Sequence, residues 1–264
     1  MSTAETLFRG GQVAASLTAL QNEVRQRPAD GKLRIFLAQL LMVTGDWERA
    51  LNQLTVLGEL DASALPMVHS YRAAIGCERV RTEVFEGKRS PLIFGDPEPW
   101  IAQLLQSLAL QEQGHAAKAQ EMRAAALEAA PTTAGTLNGT AFEWIADADS
   151  RLGPILEVLM NGAYYWVPFS RLRKVVLEDP ADARDLVWIP AQFTWANGGE
   201  AMGFIPVRYP GSQASEDDAI RMSRKTEWRD LGEGAYAGLG QRVLATSADE
   251  LGLLEVRELT LEAG

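Results

Sequence analysis

The sequence predicts an α+β fold, with tetratricopeptide-like helical repeats over residues 1–135 followed by a mostly antiparallel, β-rich domain over 136–264. Two observations predict it. Glycine, small-residue and leucine positions recur at 34-residue spacing in the first half, and five of the seven tryptophans (144, 166, 188, 195 and 228) fall among short apolar runs in the second. A 34-residue period is that of helix–turn–helix repeats, whereas short apolar runs punctuated by glycine are the pattern of strands and tight turns.

The first repeat reads GGQVAASLTALQNEVRQRPAD and the second GDWERALNQLTVLGELDAS, placing Gly11, Ser16 and Leu20 in register with Gly45, Ala50 and Leu54. A third, GHAAKAQEMRAAALEAAP, puts Gly114, Ala119, Ala126 and Pro131 at the same internal spacing, 69 residues after the second. The glycines suit the turn between paired helices, where a positive φ costs glycine little. Small residues at Ser16, Ala50 and Ala119 allow close helix crossing, and Pro28 and Pro131 end helices because proline lacks a backbone donor. Leu33, Phe36, Leu37, Leu40 and Leu41 form an apolar stripe for one helix of the second pair, and Trp47, Leu51, Leu54 and Leu57 for its mate. Residues 64–86 read as one long helix. SPLIFGDPEPW, with Pro91, Pro97 and Pro99, forbids helix until about Trp100 and reads as an elbow.

In the second half, residues 163–169, 173–179, 185–195, 203–210, 241–247 and 253–261 read as strands, with turns at Asn161-Gly162 and Asn197-Gly198-Gly199. Residues 146–160 read as a helix and 216–222 as a short one. The expected product is an antiparallel sheet or small barrel.

Composition narrows the function. The net charge is −10, and most of the acidic excess lies after residue 135, which disfavours a phosphate-backbone ligand and favours a basic or amphipathic partner. No apolar run reaches the roughly 20 residues of a membrane span. The start MSTAETLFRGG does not read as a secretory signal, and a single cysteine, Cys77, suits a reducing compartment. A cytoplasmic location is therefore expected, with neither nucleic acid nor membrane as partner.

Chemistry-bearing clusters are few. Glu143, Asp147 and Asp149 with Arg151 are the one candidate for a divalent cation, or for a metal-dependent enzyme. The competing reading is acidic residues at a helix N-terminus with local arginine pairing. His69 and His115 lie far apart without metal-ligand spacing, and Cys77 has no neighbouring cysteine or evident base. WANGGE lacks the rest of a phosphate-binding motif. No cofactor and no catalysis are expected. Repeat stacks instead present concave faces that hold peptides.

The runs LRIFLAQLLMVTGDWERALNQL, VFEGKRSPLIFGDPEPW, FEWIADADSRLGPILEVLMNGAYYWVPF, DLVWIPAQFTWANGGEAMGFIPVRYPGS and RKTEW resemble the ImpE family, also called SciE or TagJ, of type VI secretion accessory proteins. The resemblance spans nearly the whole chain. It implies a non-enzymatic cytoplasmic adaptor that binds the N-terminal helix of the small sheath subunit TssB and links the sheath to the ClpV recycling ATPase. A general scaffold or assembly chaperone for other secretion components is the alternative. The resemblance supplies no contact residues. Repeat geometry points to Lys32, Ile35, Gln39 and Met42 on the concave face, and the turn after the 185–195 strand adds Trp195, Asn197, Glu200 and Arg208 as partner-binding candidates.

Overall fold

The computed structural model describes residues 2–262. Gly11, Gly45 and Gly114 adopt φ of +77°, +72° and +81°, and each reverses the chain between paired helices. The pairs are α1 (Thr3–Arg9) with α2 (Val13–Gln26), α3 (Gly31–Val43) with α4 (Trp47–Leu60), and α6 (Pro99–Glu112) with α7 (Ala116–Ala129). Between the second and third pairs runs the long α5 (Leu65–Phe85). Ser16, Ala50 and Ala119 are fully buried where the helices cross. Ser2 starts α1 with a capping box to Glu5, and Asp30 and Asp46 cap α3 and α4 with their carboxylates.

The elbow departs from a simple turn. Its residues form β1 (Leu92–Ile93), which is followed after α7 by β2 (Gly135–Leu137), β3 (Thr140–Phe142), β4 (Ile145–Asp147), β5 (Ile155–Met160) and β6 (Ala163–Pro168). Next come β7 (Leu172–Leu177), β8 (Trp188–Trp195), β9 (Glu200–Pro206) and the short α8 (Asp218–Arg221). The chain ends with β10 (Thr226–Gly232), β11 (Ala235–Gly240), β12 (Val243–Thr246), β13 (Glu250–Gly252) and β14 (Glu258–Leu261). A nine-stranded sheet has the order β1-β6-β5-β9-β8-β7-β14-β2-β3, and only its β1–β6 pair is parallel. A smaller sheet, β13-β12-β4, and the β10–β11 hairpin complete the fold. Leu156 and Val158 of β5 share one apolar cluster with Leu259 of β14 and Leu137 of β2, although β5 lies far from the β14–β2 pair in the order, so the large sheet rolls around that core.

Three sequence expectations are corrected. Residues 146–160 are not a helix. Gly153, at φ +55°, and Pro154 break the segment, and all six residues of β5 are buried, so the alternation that marks a half-exposed strand is missing. The hairpin at 226–240 was not expected, because its first strand carries the charged run Glu227–Asp230 and faces solvent, and its second is the glycine- and alanine-rich AYAGLG. Residues 253–255 form a single 3₁₀ turn ahead of β14 rather than extending it.

One face of the sheet is the floor on which the helices lie. Ile155, Leu159, Tyr164, Trp166 and Trp188 join the helical side chains in a single core that runs through both halves of the chain. Trp47 of α4 stacks on Trp188 at 5.8 Å, and Phe94 of the elbow stacks on Trp195 at 4.1 Å. Such pairs add about 0.5–1.5 kcal/mol beyond their buried area. At Gly45 an added Cβ would meet Gln213 Cγ at 2.6 Å, whereas at Gly114 it would meet open space. Gly114→Ala is therefore expected to cost about 1 kcal/mol, from φ alone, and Gly45→Ala measurably more in urea unfolding. Gln213→Ala should narrow that gap.

Candidate functional site

Four arginines and four carboxylates are buried where the helices meet the sheet. Arg81 of α5 donates to Glu157 of β5 through Nε (2.6 Å) and Nη2 (3.0 Å), and Nη2 also reaches the Arg208 carbonyl at 2.9 Å. Glu78, one turn earlier on α5, accepts from Trp188 Nε1 at 2.8 Å. Tyr164 donates to Glu157 and accepts from Trp166 Nε1. Arg242 pairs with Glu157 and lies 3.2 Å from Asp147. Asp147 also accepts from Tyr209, and Asp149 holds Arg151 and the Gly238 amide. Arg208 clamps the end of α3, donating to the carbonyls of Val43 (2.7 Å) and Met42 (2.9 Å). There it satisfies orphan carbonyls at the negative end of the helix dipole.

Burial sets the titration of this cluster. It lowers Arg208 and Arg242 to about 10, which leaves both charged at neutral pH. Burial also raises the Asp147 carboxyl to about 6 against the pull of Arg242. Asp147 and Asp149 are thus committed to arginines, while Glu143 is exposed, so the acidic residues expected together do not form one cluster. Among the described residues no group of three His, Cys, Asp or Glu side chains is arranged to hold a metal ion. His69 and Cys77 border a cleft of about 360 Å³ between α5 and the β5–β6 turn, and burial raises the Cys77 thiol to about 11, away from thiolate reactivity.

The expected partner residues divide. Gln39, Met42, Trp195 and Arg208 are buried, which is a correction. Met42 packs inside the helical core, Trp195 is stacked between Phe94 and Phe193, and Arg208 is the α3 clamp. Asn197 accepts from the Gly199 amide to shape its turn (3.0 Å), and Glu200 stands on the exposed β7–β9 face near Lys174, Gln192 and Met202. Lys32, Ile35 and Gln39 come together in a groove of about 510 Å³. Helices α1 and α3 form one wall of it, and residues 180–186 form the other. Phe8, Ile35, Phe36 and Leu186 give it an apolar floor, with Arg9, Lys32, Arg224, Glu5 and Asp182 around them. Phe8, Leu186 and Arg224 escaped the sequence reading because four separate segments build the groove. Glu157 had a legible signal, a lone carboxylate inside the apolar run ILEVLM.

The ImpE protein family profile matches residues 139–260, most of the β-rich half. The type VI secretion system accessory component TagJ of Pseudomonas aeruginosa is 51% identical over 259 residues, covering 98% of this chain and 91% of that protein. The chain belongs to the ImpE family. A crystal structure of protein VPA1032 from Vibrio parahaemolyticus has the same fold, with a TM-score of 0.90 at 24% identity over 99% of this chain and 98% of that one. The ImpE match contains Asp147, Glu157, Arg208 and Arg242, and so most of the buried charge cluster, together with the 180–186 wall of the groove. The α1 and α3 wall lies outside that match, whereas the likeness to TagJ extends over 98% of the chain.

Glu157→Gln leaves Arg81 and Arg242 short of charge compensation inside the protein. It is expected to cost about 3–5 kcal/mol in denaturant unfolding, against less than about 0.5 kcal/mol for Glu86→Gln in the exposed Lys88 pair. For Asp147 the folded pKa of about 6 lies above the unfolded value of about 3.9. Its contribution is full below about pH 4 and lost as pH rises to about 6. Stability measured at both ends of that window should fall in the wild type relative to Asp147→Asn, by up to about 3 kcal/mol.

Proposed function

We propose that this chain is a non-enzymatic adaptor of a type VI secretion system. On this reading it works in the cytoplasm, holds the N-terminal helix of the sheath subunit TssB, and links the sheath to the ClpV recycling ATPase. The observation that carries the reading is the groove between α1, α3 and residues 180–186. Its side chains Phe8, Ile35, Phe36 and Leu186 are partly or almost wholly buried, yet they line an open channel. Amphipathic helices dock by laying residues at i, i+3, i+4 and i+7 into such a floor. The name borne by the P. aeruginosa relative supports an accessory role. Of the acidic residues considered for catalysis, Asp147 and Asp149 are paired with buried arginines and Glu143 stands apart from them.

Isothermal titration with a peptide of the cognate TssB N-terminal helix tests the reading. Binding at micromolar affinity or tighter, about −8 kcal/mol, is expected. Ile35→Glu should weaken it by about tenfold or more, since it places a charge on the apolar floor, and circular dichroism of the variant checks that it remains folded. No binding by folded protein would favour a scaffold for other secretion components. Binding indifferent to Ile35→Glu would move the site to another surface, the β7–β9 face with Glu200 being the next candidate.

A further inference from the structure

We infer that the helix seated in this groove is acidic along its polar flanks, the opposite of what the chain's own acidity suggests. The inference rests on the groove being the docking site and concerns the chemistry of its occupant. The chain carries a net charge of −10, yet the groove is bordered by three cations, Arg9, Lys32 and Arg224, against two carboxylates, Glu5 and Asp182. Both carboxylates are already engaged. Glu5 accepts from the Ser2 amide in the capping box of α1, and Asp182 caps the 3₁₀ turn at 183–186. The cations are not. Arg9, Lys32 and Arg224 are exposed, and among the described residues none makes an ion pair or donates a side-chain hydrogen bond.

Their neighbours behave differently. Arg221 pairs with Asp218 at 3.1 Å and Lys225 with Asp217 at 3.3 Å, leaving Arg224 between them facing the groove alone. Arg27, near the start of α3, is likewise paired, with Glu23 and Asp30. On a strongly acidic protein, three uncommitted cations around one apolar channel amount to a local reversal of field. Complementary charge at the rim sets which partner is accepted and how fast it arrives. An occupant with an apolar stripe on Phe8, Ile35, Phe36 and Leu186 and carboxylates on either side of the stripe fits both features at once.

The test titrates the full-length chain with two synthetic helical peptides that share one leucine stripe, the first flanked by glutamates and the second by lysines. The acidic peptide should bind at least about tenfold tighter at low ionic strength and lose that advantage in high salt. Arg9→Glu, Lys32→Glu and Arg224→Glu combined should abolish or invert the preference. These are surface changes, and an unchanged melting temperature checks that the fold survives them. Equal affinity for the two peptides, no binding of either, or a preference that persists in the triple variant would each overturn the inference. The TssB helix, titrated alongside, separates the two claims. Tight binding unaffected by the charge reversal would refute the acidic-partner assignment alone. A glutamate preference without TssB binding would refute the adaptor reading alone.

Discussion

Placing Glu157 in the middle of an otherwise apolar strand imposes a condition on everything packed above it. A lone carboxylate there would be prohibitively costly to bury, so the fold must deliver cations and donors to both of its oxygens. Arg81 comes from α5, Arg242 precedes β12, and Tyr164 lies across the β5–β6 pair. Of these, the Arg81–Glu157 pair fixes where α5 crosses the sheet. Arg208 then fixes α3 by binding its last carbonyls. With α3 and α5 held, residues 180–186 are brought against α1 and α3, and the groove exists as a consequence of that docking. Buried ion clusters of this kind add little net stability over a well-packed apolar core, but misplacing one member is strongly penalised. Here that penalty selects one arrangement of helices on sheet.

The local structure of the first half was open to a reading of the sequence because its signals are local. Gly11, Gly45 and Gly114 mark turns through their φ angles, and Pro28 and Pro131 follow helix ends closely. The Asn161-Gly162 turn was legible for the same reason, both residues having positive φ. What stayed hidden depended on tertiary context. A strand buried on both faces, such as β5, shows no period of two. An elbow rich in proline carries no sign that Leu92 and Ile93 will pair with Tyr165 and Trp166. Arg208 illustrates the limit for the site. In sequence, an arginine beside aromatic residues looks the same whether it faces a partner or clamps a helix, and only the position of the α3 carbonyls decides. Of the concave-face positions of α3, Lys32 and Ile35 open onto the groove, Gln39 is almost wholly buried at its edge, and Met42 lies deeper, in the part of α3 that the sheet and Arg208 cover.

The helical repeats are not a free-standing solenoid. Repeat stacks of that kind contact only their neighbours and leave a long concave surface open. In this chain the sheet fills most of that surface, with Trp188 against Trp47 and the β5 and β6 side chains in the same core as the helices. The remaining opening is short and has walls from both halves. An adaptor built this way would recognise one compact helical segment rather than an extended peptide, and anything that loosened the buried charge cluster would also open the groove.

The most direct measurement is hydrogen exchange across the whole chain, with and without a saturating TssB helix peptide, because it reports which backbone segments gain protection. Slowed exchange is expected in α1, α3 and residues 180–186, with the β7–β9 face unchanged. Protection confined to the β7–β9 face or to the β10–β11 hairpin, with α1 and α3 exchanging as before, would contradict this expectation.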